Sequence, residues 1–190
     1  MMQRRYHHGD LEQAVLALAR VRLREAPNNP LSLRELAREL GVSANAPYRH
    51  FPGKEGVATA LVAAGYRELT LIAEAAAAAP RPPRALATGY TRFAELEPAF
   101  LRLVNAADLA GHPPESNAVL ARDEWFAGLV AVVEAAAGNL PANEAYSRAS
   151  RIWAAMLGVT QLTHHGARGL LLGELLPDAA QLVEQLALGR

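Results

Sequence analysis

Apolar residues recur at three- and four-residue intervals along nearly the whole chain, and Ala and Leu dominate. No stretch alternates with the two-residue period of a half-buried strand, so the pattern predicts an all-α protein. A first helix opens at Asp10, a good N-terminal cap, buries Leu11, Ala14, Val15 and Leu18, and stops at Pro27-Asn28-Asn29-Pro30. A short second helix, 33–40, is capped by Ser32, with Glu35 three residues on completing a capping box, and is closed by Gly41. A third, 44–51, is expected to be capped by Ser43 and ended by Pro52-Gly53. A long helix then runs over 54–79, its alanine run at 75–79 reading as a tail with little to bury. After the break at 80–83 come helices over 84–97, 98–107, 117–137, 141–166 and 178–188, nine in all. Leu86, Tyr90, Phe93 and Ala94 lie on one side of the first of these, and Pro98 suits the first turn of the next. The expected division is a small N-terminal domain, 1–54, and a larger helical domain, 55–190.

Composition narrows the function classes. Of the 190 residues 51% are hydrophobic and 20% charged, an ordinary globular balance. The absence of cysteine removes disulfides, thiolate catalysis and cysteine-ligated zinc or iron–sulfur centres, which agrees with a cytoplasmic protein. The first eight residues are basic with no apolar run behind them, unlike a signal peptide, and apolar stretches such as 152–159 fall short of a membrane span. The net charge is zero, but residues 1–56 carry nine Arg or Lys against six Asp or Glu, and the remainder is acidic. That asymmetry points to a polyanionic partner for the N-terminal segment.

The segment Leu36-Ala37-Arg38-Glu39-Leu40-Gly41-Val42-Ser43 explains why. Two short helices joined by a tight turn cross steeply, which requires a small residue at their contact and a turn residue that accepts positive φ. Ala37 and Gly41 meet those needs, and Leu36, Leu40 and Val42 bury the seam. This is a helix-turn-helix pattern, although a plain helical hairpin meets the same constraints. The next helix begins with small and polar residues, as a recognition helix entering the major groove requires. Asn45 and Arg49 are candidates for base contacts. Ser32, Ser43, Tyr48, His50 and Lys54 are candidates for the DNA backbone, Arg34 is a further DNA-binding candidate, and Phe51 is a candidate for the core.

Gly41-Val42-Ser43, Tyr48, His50-Phe51 and Lys54-Glu55, preceded by Tyr6-His7-His8-Gly9-Asp10-Leu11 and Leu31–Ala37, resemble the N-terminal domain of the TetR family of bacterial repressors over about the first 70 residues. The resemblance implies that Tyr48 and Lys54 grip phosphates and that the third helix reads bases. Many members carry Leu where this chain has Pro47. Proline disfavours helical geometry at Ala46, so Pro47 is a DNA-site residue expected to tilt or tighten the recognition helix.

The C-terminal region reads less sharply. Trp153 followed by His165-Gly166 resembles a TetR C-terminal subfamily marked by a Trp and a later His-Gly. Independently, 152–162 is apolar nearly all round and must be buried on several sides, one toward the body and another toward a partner. The family resemblance implies a homodimer through the last two helices, with Ala155, Gly158, Leu162 and the helix after Pro177 at the interface, and a palindromic double-stranded operator. Tyr90, Phe93, Asn105, Trp125, Trp153, Met156, Gln161 and His164 are candidates for an interhelical pocket that takes a small, mostly apolar effector. Neither a cofactor nor a metal site is expected. Three functions stay open: a repressor released by a ligand, a ligand-independent repressor or activator, and a helical enzyme using Glu95, Glu97, Asp108 and His112, for which no nucleophile elbow, phosphate loop or metal motif speaks.

Overall fold

The computed structural model describes residues 8–26, 31–107, 109–164 and 179–189, and within these the side chains of 11–26, 31–107, 109–160 and 179–189. The described residues form eight α-helices and one short 3-10 turn, with no strand. In chain order they are α1 (His8–Glu25), α2 (Leu33–Glu39), the turn η1 (Pro47–Arg49), α3 (Gly53–Ala77), α4 (Pro82–Leu96), α5 (Pro98–Ala106), α6 (Asn117–Ala137), α7 (Ala142–His164) and α8 (Ala179–Leu188).

The first two helices pack a small core from Leu11, Val15, Ala19, Leu33, Leu36 and Ala37, closed by Phe51 from beyond the turn. The Ser32 hydroxyl accepts the backbone N–H of Glu35 at 3.4 Å and so caps α2. At the other end, the N–H of Val42 reaches the carbonyl of Ala37 at 3.0 Å and that of Gly41 the carbonyl of Arg38 at 3.2 Å. This pair of bonds is a Schellman closure, and Gly41 sits in the left-handed conformation it requires, at φ 69°.

The expected third α-helix over 44–51 is not formed. Ala44 and Asn45 lie in a turn, and only Pro47–Arg49 are helical, as a single 3-10 turn. Bonds of the i to i+3 kind run from Ala46 N–H to Ser43 carbonyl, Arg49 N–H to Ala46 carbonyl and His50 N–H to Pro47 carbonyl. Pro47 has no N–H to give Ser43, so an α-ladder cannot pass through it, whereas the tighter pattern needs no donor there. Ala46 nonetheless keeps helical geometry, at φ −60° and ψ −46°, against the restriction expected ahead of a proline. Ser43 contributes its backbone carbonyl to this turn rather than a side-chain cap.

From Gly53 the chain enters α3, which runs from the N-terminal core into the body. By length and apolarity α3 could cross a membrane, contrary to the expectation from shorter apolar runs, but its apolar face is covered by α6, α4 and α5. Gly65 lets α5 press against it: a Cβ there would lie 2.2 Å from Val104 Cγ2. Trp125, Leu129, Val132 and Val133 of α6 are fully buried beneath α3 and α4. α7 presents Ala145, Ala149, Ile152 and Met156 to the body, and α8 lies across α4 and α7. α8 is tied by Arg84 to Glu184 at 2.8 Å and by Arg148, whose guanidinium donates to the Ala187 carbonyl at 2.9 Å.

Candidate DNA interface and ligand cavity

The polar residues singled out at the N-terminal end fall on two sides of the turn. Arg34, Ser43, Asn45, Tyr48, Arg49 and Lys54 are exposed, with Tyr48 at 48% despite its large apolar ring. Ser32 is half-buried and already engaged as the α2 cap. Pro47 is buried, and so shapes the turn from beneath. His50 also turns inward: its Nδ1 lies 4.0 Å from the Glu12 carboxylate of α1, its side chain is only 13% exposed, and its ring leans on Phe51. In a 3-10 turn, residues three apart eclipse one another, so Pro47 and His50 share the inner side while Tyr48 and Arg49 project outward. Lys54 stands at the start of α3, where its side chain is 62% exposed and its ammonium lies 3.9 Å from Glu55.

The helical body holds a cavity of about 450 Å³ between α4, α7 and α8. Its wall is mostly apolar, including Ala87, Ala94, Pro98, Ala155, Met156, Val159, Leu182 and Val183, with Tyr90, Thr91, Glu95 and Thr160 as polar members. This is the composition of a site for a small organic molecule. Of the expected pocket residues, Tyr90 and Met156 line it. Asn105 stands behind, donating from Nδ2 to the Tyr90 hydroxyl at 3.4 Å. Trp125 is a further layer back, fully buried and stacked on the Tyr90 ring at 6.5 Å and 16°, and its Nε1 has no hydrogen-bond partner among the described residues. Burial raises the Tyr90 phenol above its ordinary range, opposed by hydrogen bonds from Asn105 and Thr160. It therefore faces the cavity as a neutral hydroxyl.

Other candidates lie elsewhere. Phe93 is buried edge-on against Phe100, away from the cavity wall. Trp153 packs with Tyr66 and Phe126 and lines a separate open groove between α6 and α7, with Tyr146 and Leu157. The side chains of Gln161 and His164, like Leu162, Asp108, His165 and Gly166, lie outside those described. Ala155 faces the cavity, and Gly158 is exposed on the outer side of α7. Thr91, Glu95 and Thr160 had no distinguishing signal in sequence, because ordinary polar residues on an amphipathic helix look the same whether they meet solvent or a void.

Of the candidate acid–base group, Asp108 lies outside the described residues, and the two glutamates face different surroundings. Glu97 is engaged by Arg24 and by Arg20, the latter at 3.4 Å, while Glu95 is on the cavity rim. Among the described residues no three His, Cys, Asp or Glu side chains come together to hold a metal ion.

Comparison with known families and structures accounts for both regions. Residues 15–61 match the model of bacterial regulatory proteins of the tetR family, and residues 83–188 match that of the tetracyclin repressor-like C-terminal domain. The chain belongs to the TetR family. The two matches make it a transcriptional regulator with an N-terminal DNA-binding helix-turn-helix, and point away from an enzyme. A protein of unknown function from Rhodococcus sp. RHA1 is 29% identical, with a TM-score of 0.72 over 97% of this chain and 95% of that one. SCO4313, a protein classed as regulatory, is 23% identical with a TM-score of 0.72 over 98% and 97%. The TetR family transcriptional regulator PfmR from Thermus thermophilus shares the fold at 16% identity, with a TM-score of 0.59 over 91% and 94%. No curated protein matches the sequence. In this TetR-family chain, the Schellman turn at Gly41 and the outward Tyr48–Arg49 edge lie within the N-terminal match, and the residues that line the cavity lie within the C-terminal one.

Proposed function

We propose that this regulator is a cytoplasmic repressor that binds a palindromic operator as a homodimer and is released by a small, mostly apolar molecule. The observation that carries the ligand part is the cavity of about 450 Å³, apolar but edged by the Tyr90 hydroxyl and Thr160. In this reading residues 1–54 are the DNA-binding domain and 55–190 the ligand-binding and dimerisation domain. Asn45 and Arg49 read bases from the turn. Arg34, Ser43, Tyr48 and Lys54 hold phosphates, and Ser32, Pro47 and His50 support them from the inner side. α7 and α8 pair with their counterparts, using the outer face of α7 at Gly158. Trp153 with the later His165-Gly166 supports membership of the C-terminal subfamily marked by a Trp and a later His-Gly.

A ligand that stabilises one dimer geometry changes DNA affinity only through its different affinity for the two states. Deleting the gene and measuring transcripts of its neighbours tests the repressor reading. A rise is expected, and a fall would instead make the protein an activator. Binding of a small neutral apolar compound should weaken the DNA complex by at least about fivefold. DNA affinity that stays unchanged with the cavity occupied would favour the ligand-independent reading.

A further inference from the structure

Glu97 is the single residue between α4 and α5, and both helices hold its backbone: its N–H donates to the Phe93 carbonyl and its carbonyl accepts from Leu101, each at 2.9 Å. Its neighbours Glu95 and Pro98 line the cavity. Its own carboxylate points the other way, to α1, where it accepts from Arg24 and lies 3.4 Å from Arg20. The Arg20 guanidinium is bound in turn to both oxygens of Glu68 on α3, one at 2.9 Å, and lies 4.3 Å from the centre of the Phe100 ring on α5. One elbow thus touches the cavity on one side and the DNA-binding domain on the other.

The Arg20–Glu97 pairing is more sheltered than a surface contact, whereas Arg24 reaches Glu97 from an exposed position. The Glu97 side chain is 13% exposed and that of Arg20 27%, so solvent and salt screen them less than they screen free surface charges. Two guanidiniums on one carboxylate also restrict it more than a single pair would. α5 is seated against α3 at Gly65 with no room to slide closer. A shift of the elbow toward α3 is thereby opposed, and α1 is the element to which its carboxylate is tied.

We infer that Glu97 is a positioning residue that carries cavity occupancy to the DNA-binding domain: a molecule between α4, α7 and α8 displaces Glu95 and Pro98, and Glu97 transmits the shift through Arg20 and Arg24. The inference rests on the ligand-responsive reading above, and its test separates the two.

The test uses the full-length protein, the neutral fluorophore N-phenylnaphthylamine as cavity probe, and duplex DNA from beside the protein's own gene. The dye site is fixed first: Ala155→Trp fills the cavity and should abolish the signal. In the wild type, saturating DNA should weaken dye binding by at least about fivefold, because coupling between two sites is reciprocal. In Glu97→Gln that ratio should fall below about twofold, with dye affinity in the absence of DNA unchanged. Glu184→Gln breaks an ion pair between α4 and α8 and should keep the wild-type ratio. Ratios lowered alike in Glu97→Gln and Glu184→Gln would mark a general loosening of the fold and overturn the inference. Arg24→Gln, which leaves the elbow intact, should give an intermediate ratio and serves if Glu97→Gln does not fold. A wild-type ratio retained in Glu97→Gln, or in Arg24→Gln should that be the one that folds, overturns the inference while sparing the ligand-responsive reading. A ratio near one in the wild type, no dye binding, or dye binding that survives Ala155→Trp overturns that reading and the inference with it.

Discussion

The two ends of the molecule use polar residues in opposite ways. Around the turn, Asn45, Tyr48, Arg49 and Lys54 face outward over a small apolar core of Leu36, Ala37 and Phe51. In the body, Tyr90 and Thr160 face inward, backed by Asn105 and by the fully buried Trp125. Function and stability should therefore separate at the first end and remain joined at the second. A residue that holds DNA can be removed without disturbing what packs beneath it, whereas a residue that shapes the cavity is also part of the core.

The sharpest way to break this contrast is at Trp125. Trp125→Ala should cost about 3–5 kcal/mol of stability, read from denaturant unfolding, because it removes the largest side chain behind the cavity. Trp125→Phe should cost far less, since it keeps most of the packing and deletes an indole N–H that has no partner. At the other end, Arg49→Ala should weaken specific DNA binding by about 1–3 kcal/mol if the side chain reads a base, with the unfolding midpoint unchanged. A matching loss of stability would show that the turn and its core are not independent.

Ser32→Ala lies between the two cases. Its hydroxyl caps α2, so the loss should be about 1 kcal/mol in stability. The smallest effect concerns pH. Burial raises the Tyr66 and Tyr90 phenols above their ordinary range, so the unfolded chain releases these protons at lower pH than the folded one. Their contribution is complete below the ordinary phenol range and is lost as pH rises through it toward the raised values. Tyr90→Phe should flatten the alkaline fall in unfolding free energy and leave neutral-pH stability less affected.

The contrast also governs what could be read from the chain. The Ala37–Gly41 spacing is legible because backbone geometry dictates it: a left-handed residue must follow α2, and a small one must face the next segment. The helix boundaries are legible for the same local reasons, among them Ser32 and the Pro-rich breaks. The third helix is where local reasoning stops short. Pro47 was legible as a disturbance, but whether the chain tilts an α-helix or tightens to a 3-10 turn depends on the pocket that buries Pro47 and turns His50 toward Glu12. The cavity was legible at Tyr90 and Met156 and not at Thr91, Glu95 or Thr160. Periodicity reports which side of a helix is apolar, but a void is a relation among α4, α7 and α8 that none of them encodes alone. The Glu97 pairing with Arg20 and Arg24 spans more than seventy residues and has no local signature.

The most direct test of the central claim, specific DNA binding by the turn and the start of α3, is the affinity of the full-length protein for duplex DNA from beside its own gene and for a scrambled duplex, measured across salt concentrations. The specific complex should be tighter throughout and weaken steeply with salt, and Lys54→Ala should weaken both complexes alike while reducing the salt slope by about one. Equal affinity for the two duplexes at every salt concentration, with no change on removing Lys54, would contradict the claim.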